Sequence, residues 1–123
     1  MKTKFRGFSE RLNKWVYGYL VEDNMIVNGI VEVNNEYITI ERWETVVPSS
    51  VGQYAGLSDS QDTELYNGDI CWDEIKERAG VVGFYEGKFG YLSENDYEDL
   101  CEINNDIEII GNIHENSELL EGE

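Results

Sequence analysis

Trp15-Val16-Tyr17-Gly18-Tyr19-Leu20 gives the clearest indication of the fold class, because aromatic residues alternate in it with small or aliphatic ones. Successive side chains of a β-strand point to opposite faces of a sheet, so this period of two predicts a strand. Glu22-Asp23-Asn24 interrupts the pattern, and Asn34-Asn35 ends the apolar run that follows. Short apolar runs separated by such turns are typical of an antiparallel meander.

The same pattern continues along the rest of the chain. Pro48-Ser49-Ser50 is the one proline-marked break in it. Residues 96–101 fit either a helical turn or an irregular segment, and Asn116 or Ser117 would cap a short C-terminal helix that includes Leu120. Short strands at this spacing predict a mainly β protein, a small antiparallel barrel or roll, rather than a βαβ fold. Further strands are predicted over residues 25–33, 36–42, 70–78, 81–85, 89–92 and 108–113, with a turn at Ala79-Gly80.

The chain has 123 residues, a length that suits one domain. Within it the breaks predict three segments. We expect an N-terminal β-meander over residues 1–47, a barrel or roll over residues 48–113, and a short helix with an acidic tail over residues 114–123. We expect these segments to pack as one compact unit.

Charge is strongly acidic and unevenly distributed. Nine Lys and Arg against 26 Asp and Glu give a net charge of −17. Residues 1–14 hold five Lys and Arg and one Glu, a net +4, whereas residues 89–123 hold eleven carboxylates and no Lys or Arg. The acidic residues form either an ordinary solvated face or a surface that the basic N-terminal segment neutralises, on its own body or on a neighbouring copy. This balance argues against direct binding of nucleic acid, which needs a Lys/Arg surface.

The composition predicts a cytoplasmic protein outside the membrane. The longest apolar stretches are three to five residues long, far below the roughly 20 that span a bilayer. The basic start of the chain lacks the apolar region of a secretory signal. Cys71 and Cys101 are interpreted as reduced structural residues, which we favour over a disulfide between them.

No catalytic, cofactor-binding or metal-binding constellation is found. His114 is the only histidine, and no nucleophile, phosphate-loop or zinc motif occurs. We therefore favour a non-enzymatic protein over an enzyme and predict no cofactor. Neighbouring carboxylates could gather around a divalent cation, although 26 acids in 123 residues produce such neighbours by chance. The groups are Asp59, Asp62 and Glu64; Asp73 and Glu74; and Asp96, Glu98 and Asp99.

Aromatic residues provide the candidate interaction surface. Trp15, Tyr17 and Tyr19 share one face of the first predicted strand, and Tyr37 and Trp43 fall in register with them. An exposed aromatic face would be an interaction patch, and a buried one would be the core, which is the interpretation we favour. A chain of many short strands must also protect its sheet edges, and pairing with copies of itself does so. Homo-oligomerisation is therefore expected.

Three segments resemble the YopX-like family of phage and prophage proteins. They are Lys4-Phe5-Arg6-Gly7 near the start, the stretch from Val51 to Asp59 together with Leu65 to Ile70, and residues 109–120. The resemblance implies a mainly β domain with an SH3-type barrel or roll in its C-terminal half. It implies no activity, because the family has no catalytic residues to carry over.

Within these segments a few residues form a candidate structural turn motif. Glycines at strand ends and turns permit a positive φ or a close backbone approach, and a carboxylate after Asn-Gly accepts N–H groups of the turn. We favour a structural role for this motif over ligand binding. Its members are Gly52, Gly56, Gly68, Asp69 and Gly111.

Together these observations predict a phage accessory protein that is a non-enzymatic, self-associating protein-binding module. Its partner would be a second copy or an unidentified phage or host protein. The alternative is an acidic nucleic-acid mimic that occupies a host DNA-binding protein, because a charge of −17 can present carboxylates where phosphates would lie.

Overall fold

The structure, a computed structural model, describes residues 4–33, 38–94 and 96–120. All of the strand pairs described in it are antiparallel. The prediction of a mainly β, antiparallel fold is therefore confirmed. The chain divides into two compact units, Met1–Gln53 and Tyr54–Glu123.

The first unit is built on one antiparallel sheet in which the strand order is β4-β3-β2-β1 and then the start of β5. β1, which the period-two pattern did not predict, lies between β2 and β5. A 310 turn, Pro48–Ser50, precedes β5 and is held on β1 because Ser50 Oγ accepts the N–H of Phe8 at 2.7 Å. The strands are β1 Phe5–Ser9, β2 Lys14–Val21, β3 Met25–Val33, β4 Ile38–Thr45 and β5 Gly52–Ser58.

A small apolar cluster on one face of the sheet forms the core of this unit. Val16, Ile26 and Val46 are buried in it. Phe5 of β1, Leu20 of β2 and Val51, which precedes β5, pack around them. Val16 and Leu20 are on the same face of β2, so the side chains of Tyr17 and Tyr19 point away from this core.

The second unit contains the rest of β5, which pairs with β6, and an antiparallel sheet of order β10-β9-β8-β7-β11. One short α-helix and a 310 turn, Asn104–Asp106, connect β10 to β11, and a 310 turn, Ser117–Leu120, follows β11. The elements are β6 Glu64–Tyr66, β7 Asp69–Asp73, β8 Arg78–Tyr85, β9 Lys88–Ser93, β10 Asp96–Asp99, α1 Leu100–Ile103 and β11 Ile107–Asn112.

The core of the second unit lies on one face of its sheet. Cys71, Val82 and Tyr91 are buried on that face and contact Leu65 of β6. The hydroxyl of Tyr91 donates to the carbonyl oxygen of Cys71 at 3.0 Å, and burial raises the pKa of Tyr91. α1 supplies further apolar side chains, and Trp72 of β7 is half-buried.

Two local predictions are wrong in the second unit. The strand predicted over residues 70–78 ends at Asp73, because Asp73 Oδ1 accepts the N–H groups of Ile75 at 2.9 Å and Lys76 at 3.0 Å and turns the chain. Residues 79–80, which separate the strands predicted over residues 70–78 and 81–85 and were expected to form a turn, lie inside β8. Of residues 96–101, predicted as a helical turn or an irregular segment, the first four form β10 and the last two begin α1.

The predicted short C-terminal helix is present as the 310 turn Ser117–Leu120. The sheet of the second unit is open, with β10 and β11 at its edges, and the described strands do not close into a barrel. The SH3-type barrel and the three segment boundaries therefore stay predictions. No helix in the described ranges has the length and apolar character needed to cross a membrane.

Candidate functional site

The predicted aromatic surface lies on the first unit, on the strands that also build its core. Trp15, Tyr17 and Tyr19 alternate along β2 with the core residues Val16 and Leu20. Tyr17 is 46% exposed, whereas Trp15 and Tyr19 are half-buried. β2 therefore presents its aromatic side chains on the face opposite the core.

Strand register brings Trp43 into the same surface. Tyr19 pairs with Val27, and Val27 pairs with Trp43, so the three side chains form a row across β2, β3 and β4. Trp43 is 53% exposed. Tyr37, the remaining predicted member, lies outside the described residues. We call Trp15, Tyr17, Tyr19 and Trp43 the aromatic face.

One end of the aromatic face is held rigidly. The ring of Trp15 packs edge-on against Phe8 with a centroid distance of 5.5 Å. The guanidinium carbon of Arg6 lies 4.8 Å from the Trp15 ring centroid, a distance at which the cation is attracted to the ring. Rigid aromatic side chains lose little conformational entropy when a partner covers them, so this arrangement suits protein binding.

A second feature of the first unit is a shallow groove of about 390 Å³. It contains more cationic than acidic side chains, although the whole chain carries a charge of −17. Apolar surface from Leu12, which is 37% exposed, lies beside the charged groups. We call this the basic groove. It is lined by Arg11, Leu12, Lys14, Asn28, Arg42 and Glu44, together with the buried Val16 and with Trp43, which also belongs to the aromatic face.

The one carboxylate of the basic groove is already paired. Arg11 donates from Nε to Glu44 Oε1 at 2.9 Å and from Nη2 to Glu44 Oε2 at 2.6 Å. This two-point hydrogen bond lowers the pKa of Glu44 and raises the pKa of Arg11. No described residue forms an ion pair with Lys14 or Arg42, and both are exposed. These two cations are therefore available to an acidic ligand.

The second unit uses its cations differently. Each of its three Lys and Arg residues forms an ion pair with an acidic residue of β10. Lys76 Nζ lies 2.8 Å from Glu98 Oε1 and Lys88 Nζ lies 2.9 Å from Asp99 Oδ1. Arg78 pairs with Asp96, and the hydrogen bond between them lowers the pKa of Asp96. The three carboxylates predicted as a cation-binding group are thus each opposite a side-chain cation.

Asp59, from another of the predicted carboxylate groups, has a structural role. It is buried, and its Oδ1 accepts the N–H groups of Gln61 and Thr63, both at 2.9 Å. Its Oδ2 accepts the N–H of Ile109 in β11 at 2.9 Å. Asp62 is exposed. Within the described ranges no three His, Cys, Asp or Glu are arranged to hold a metal ion.

The residues of the candidate turn motif are spread over strands and turns: Gly68 lies in the turn before β7, Asp69 begins β7, and Gly111 lies near the end of β11. Gly68 has a φ of +98°, which a side chain would strain, and Asp69 Oδ2 accepts the N–H of Tyr66 at 2.7 Å. A Cβ at Gly111 would lie 2.7 Å from Asn116 Oδ1, so a side chain at this position would displace Asn116. Gly52 and Gly56 lie in β5. The contacts of Asp69 and Gly111 are with residues close to them in sequence.

The remaining predicted residues do not form a site. His114 is exposed in the turn after β11. Cys71 is buried in the core, Cys101 is exposed in α1, and both are free. Sequence reasoning missed the basic groove, because its residues come from β2, β3, β4 and the turn before β2. The surplus of Lys and Arg in residues 1–14 was the one available signal.

Comparison with known proteins identifies relatives by sequence and by fold. The family model described as YopX protein matches residues 4–121. Among solved structures, protein EF1440 from Enterococcus faecalis is similar, with a TM-score of 0.66 and 21% sequence identity over 98% of this chain and 99% of that chain. At that identity the likeness concerns the fold alone. No curated protein matches the chain significantly.

Proposed function

The chain belongs to the YopX family, and we propose that it is a non-enzymatic, self-associating protein-binding module. The observation that carries this proposal is the exposure of Tyr17 and Trp43 on a sheet face that points away from the core. Tyrosine and tryptophan are enriched at protein interfaces and supply much of their binding energy. The rigid packing of Trp15 supports the same role.

The family resemblance and the cysteines support proposals about the origin of the protein and the compartment in which it works. We propose that the protein is a phage or prophage accessory protein that works in the cytoplasm, where thiols stay reduced. Two free cysteines agree with that compartment. We also propose an SH3-type roll for the second unit, because Leu57 and Leu65 of the β5–β6 hairpin pack on the core face of its sheet.

Light scattering and equilibrium sedimentation at tens of micromolar chain test self-association. We expect an assembly larger than one chain in the wild type. The double variant Tyr17→Ser/Trp43→Ser should weaken association by about 2 kcal/mol or more, about thirtyfold in dissociation constant, because such residues are frequent hot spots. The matched control, Ile75→Ser/Phe84→Ser, removes two side chains that are 70% and 50% exposed in the second unit.

The control variant should associate as the wild type does. A wild-type chain that stays monomeric at this concentration, at low as well as moderate salt, would refute self-association. Deletion of the basic N-terminal segment is a poor test, because β1 lies between β2 and β5 and its loss would disrupt the sheet.

One observation favours the alternative, an acidic nucleic-acid mimic. All three Lys and Arg of the second unit are paired with β10, so its remaining 16 carboxylates have no cation of their own unit to neutralise them. A mimic would displace duplex DNA from a basic host protein, and added salt would weaken the competition. Fluorescence anisotropy of labelled DNA measures this. If the chain binds a basic host protein but does not displace DNA from that protein at low salt, the alternative is rejected.

A further inference from the structure

We propose that the basic groove of one chain binds the acidic C-terminal segment, residues 113–120, of a second copy. This inference rests on the proposed self-association and assigns to it a specific pair of surfaces. The groove and the segment belong to different units, and they differ in charge, in shape and in the residues that they expose.

The groove has the chemistry of a receptor for an acidic and partly apolar segment. Lys14 and Arg42 are exposed and provide two cations. Leu12, which is 37% exposed, provides apolar surface beside them. Arg11 and Glu44 pair with each other at one side of the groove, so its one carboxylate is already opposite a cation.

The acidic C-terminal segment presents the complementary groups. Ile113 and Leu120 are 50% and 36% exposed, and the exposed Glu118 lies between them in sequence. Isolated exposed apolar residues are ordinary, but here two of them flank carboxylates in a segment without a Lys or Arg. Such a segment matches a groove in which cations flank apolar surface.

The segment is also held in a defined conformation before binding. Asn112 Oδ1 accepts the N–H groups of His114 at 3.0 Å and Glu115 at 2.9 Å. Asn116 Oδ1 accepts the N–H of Asn112 at 3.2 Å, which the absence of a side chain at Gly111 permits. A preformed segment avoids part of the entropy cost of binding.

Charge complementarity identifies the occupant as a second copy. The first unit holds six Lys and Arg against seven Asp and Glu, a net −1, and the second unit holds three against 19, a net −16. The three cations of the second unit are paired with β10. Cations for the rest of its acidic surface must therefore come from outside the unit, and the first unit of a second copy provides the exposed Lys14 and Arg42 of its groove.

A complementation experiment with two full-length variants tests the inference. The groove variant is Lys14→Glu/Arg42→Glu, and the segment variant is Glu118→Lys/Leu120→Ser. Sedimentation at about 0.01 M salt, where the Debye length is about 30 Å, should show each variant associating about tenfold more weakly than the wild type. Their equimolar mixture should associate more tightly than either alone, because a mixed pair has one intact groove and one intact segment.

Two controls separate this contact from general effects of charge and folding. Glu74→Lys/Ile75→Ser makes the same chemical changes at exposed positions outside the segment and should associate as the wild type does. Lys14→Arg/Arg42→Lys keeps both charges and should also retain wild-type association. Circular dichroism and melting temperature show whether each variant is folded before its association is compared.

The outcomes distinguish the two proposals. If the wild type associates and both folded variants associate equally well, the groove–segment contact is wrong while the proposed function stands. If both variants are weakened but their mixture gains nothing, the contact is wrong as well. If the wild type is monomeric, self-association itself fails and this inference fails with it.

Discussion

At the scale of single residues, Asp59 explains how one open edge of a sheet is protected. Its carboxylate accepts the N–H of Ile109, and the N–H of Ser60 donates to the carbonyl oxygen of Ile107 at 2.8 Å. These groups of β11 would otherwise be free to pair with another strand. The loop after β5 therefore takes the place of a neighbouring strand along part of β11.

Asp59→Asn is expected to destabilise the protein by about 1–3 kcal/mol, because an amide has one acceptor oxygen and its NH2 group would face a buried N–H donor. Urea unfolding measures the loss, and hydrogen exchange at Ile109 should become faster. Asp62→Asn, an exposed position in the same loop with a φ of +64° that Asn tolerates, is the matched control. A control that destabilises as much as Asp59→Asn would contradict this role.

Tyr91 should make the protein sensitive to alkali. Burial raises the pKa of Tyr91, so the folded state holds the phenol neutral where an unfolded chain ionises at about pH 10. The resulting stabilisation is complete below that pH and is lost as pH rises above it. Tyr91→Phe should cost about 1 kcal/mol at neutral pH, from the lost hydrogen bond to Cys71, and should flatten the alkaline decline. Urea midpoints between about pH 8 and pH 11 check both effects, and an unchanged slope would refute the assignment.

At the scale of elements, β10 is a short edge strand held by ion pairs as well as by its backbone. Four residues rich in Asp and Glu have little intrinsic tendency to form a strand. Lys76, Arg78 and Lys88 bring three cations to β10, from the turn before β8 and from the starts of β8 and β9. Carboxylates along an edge also discourage pairing with a foreign strand.

Weakening these ion pairs should loosen β10 selectively. We expect faster amide exchange over residues 96–99 in Lys76→Gln/Lys88→Gln and in the wild type at high salt, whereas Lys14→Gln should exchange as the wild type does. Acid should act in the same direction. The lowered pKa of Asp96 gives a stabilisation that is present at neutral pH and is lost as pH falls through the folded-state pKa. Amide exchange over residues 96–99 at the same rate in the wild type, in Lys76→Gln/Lys88→Gln and in Lys14→Gln would contradict the role of the ion pairs.

The sequence pattern predicted some of these elements and missed others. Period-two patterning found β2, β8, β9 and β11, because the strands that it reads have alternating or continuous apolar residues. It missed β1, which is short and contains Arg6 and Gly7, and β10, in which three of the four residues are acidic. The aromatic face was predictable from β2 alone, but the basic groove depends on strand register, which a single sequence does not specify.

At the scale of the whole molecule, the dominant feature is the unequal charge of the two units. A net charge of −16 on residues 54–123 repels itself and opposes folding of that unit. The composition predicted an acidic protein, but only the division at Gln53 shows how little of the acidity belongs to the first unit. Added salt should therefore affect the two units differently.

Screening should raise the melting temperature of the second unit. Increasing NaCl from about 0.01 M to about 0.15 M shortens the Debye length from about 30 Å to about 8 Å. If repulsion falls by about 1 kcal/mol, the melting temperature should rise by about 4–8 °C in a unit of this size. MgCl2 at the same ionic strength as NaCl should raise the melting temperature by a similar amount. A much larger rise with millimolar Mg²⁺ would instead indicate a specific carboxylate site for the cation.

The distribution of tryptophans between the units offers a way to observe each one. Trp15 and Trp43 belong to the first unit, and Trp72 is the one indole of residues 54–123. Replacing the first two by Phe would leave fluorescence that reports on the second unit alone, and replacing Trp72 would leave emission from the first. Cooperative melting of the two halves, or its absence, could then be followed without any added dye.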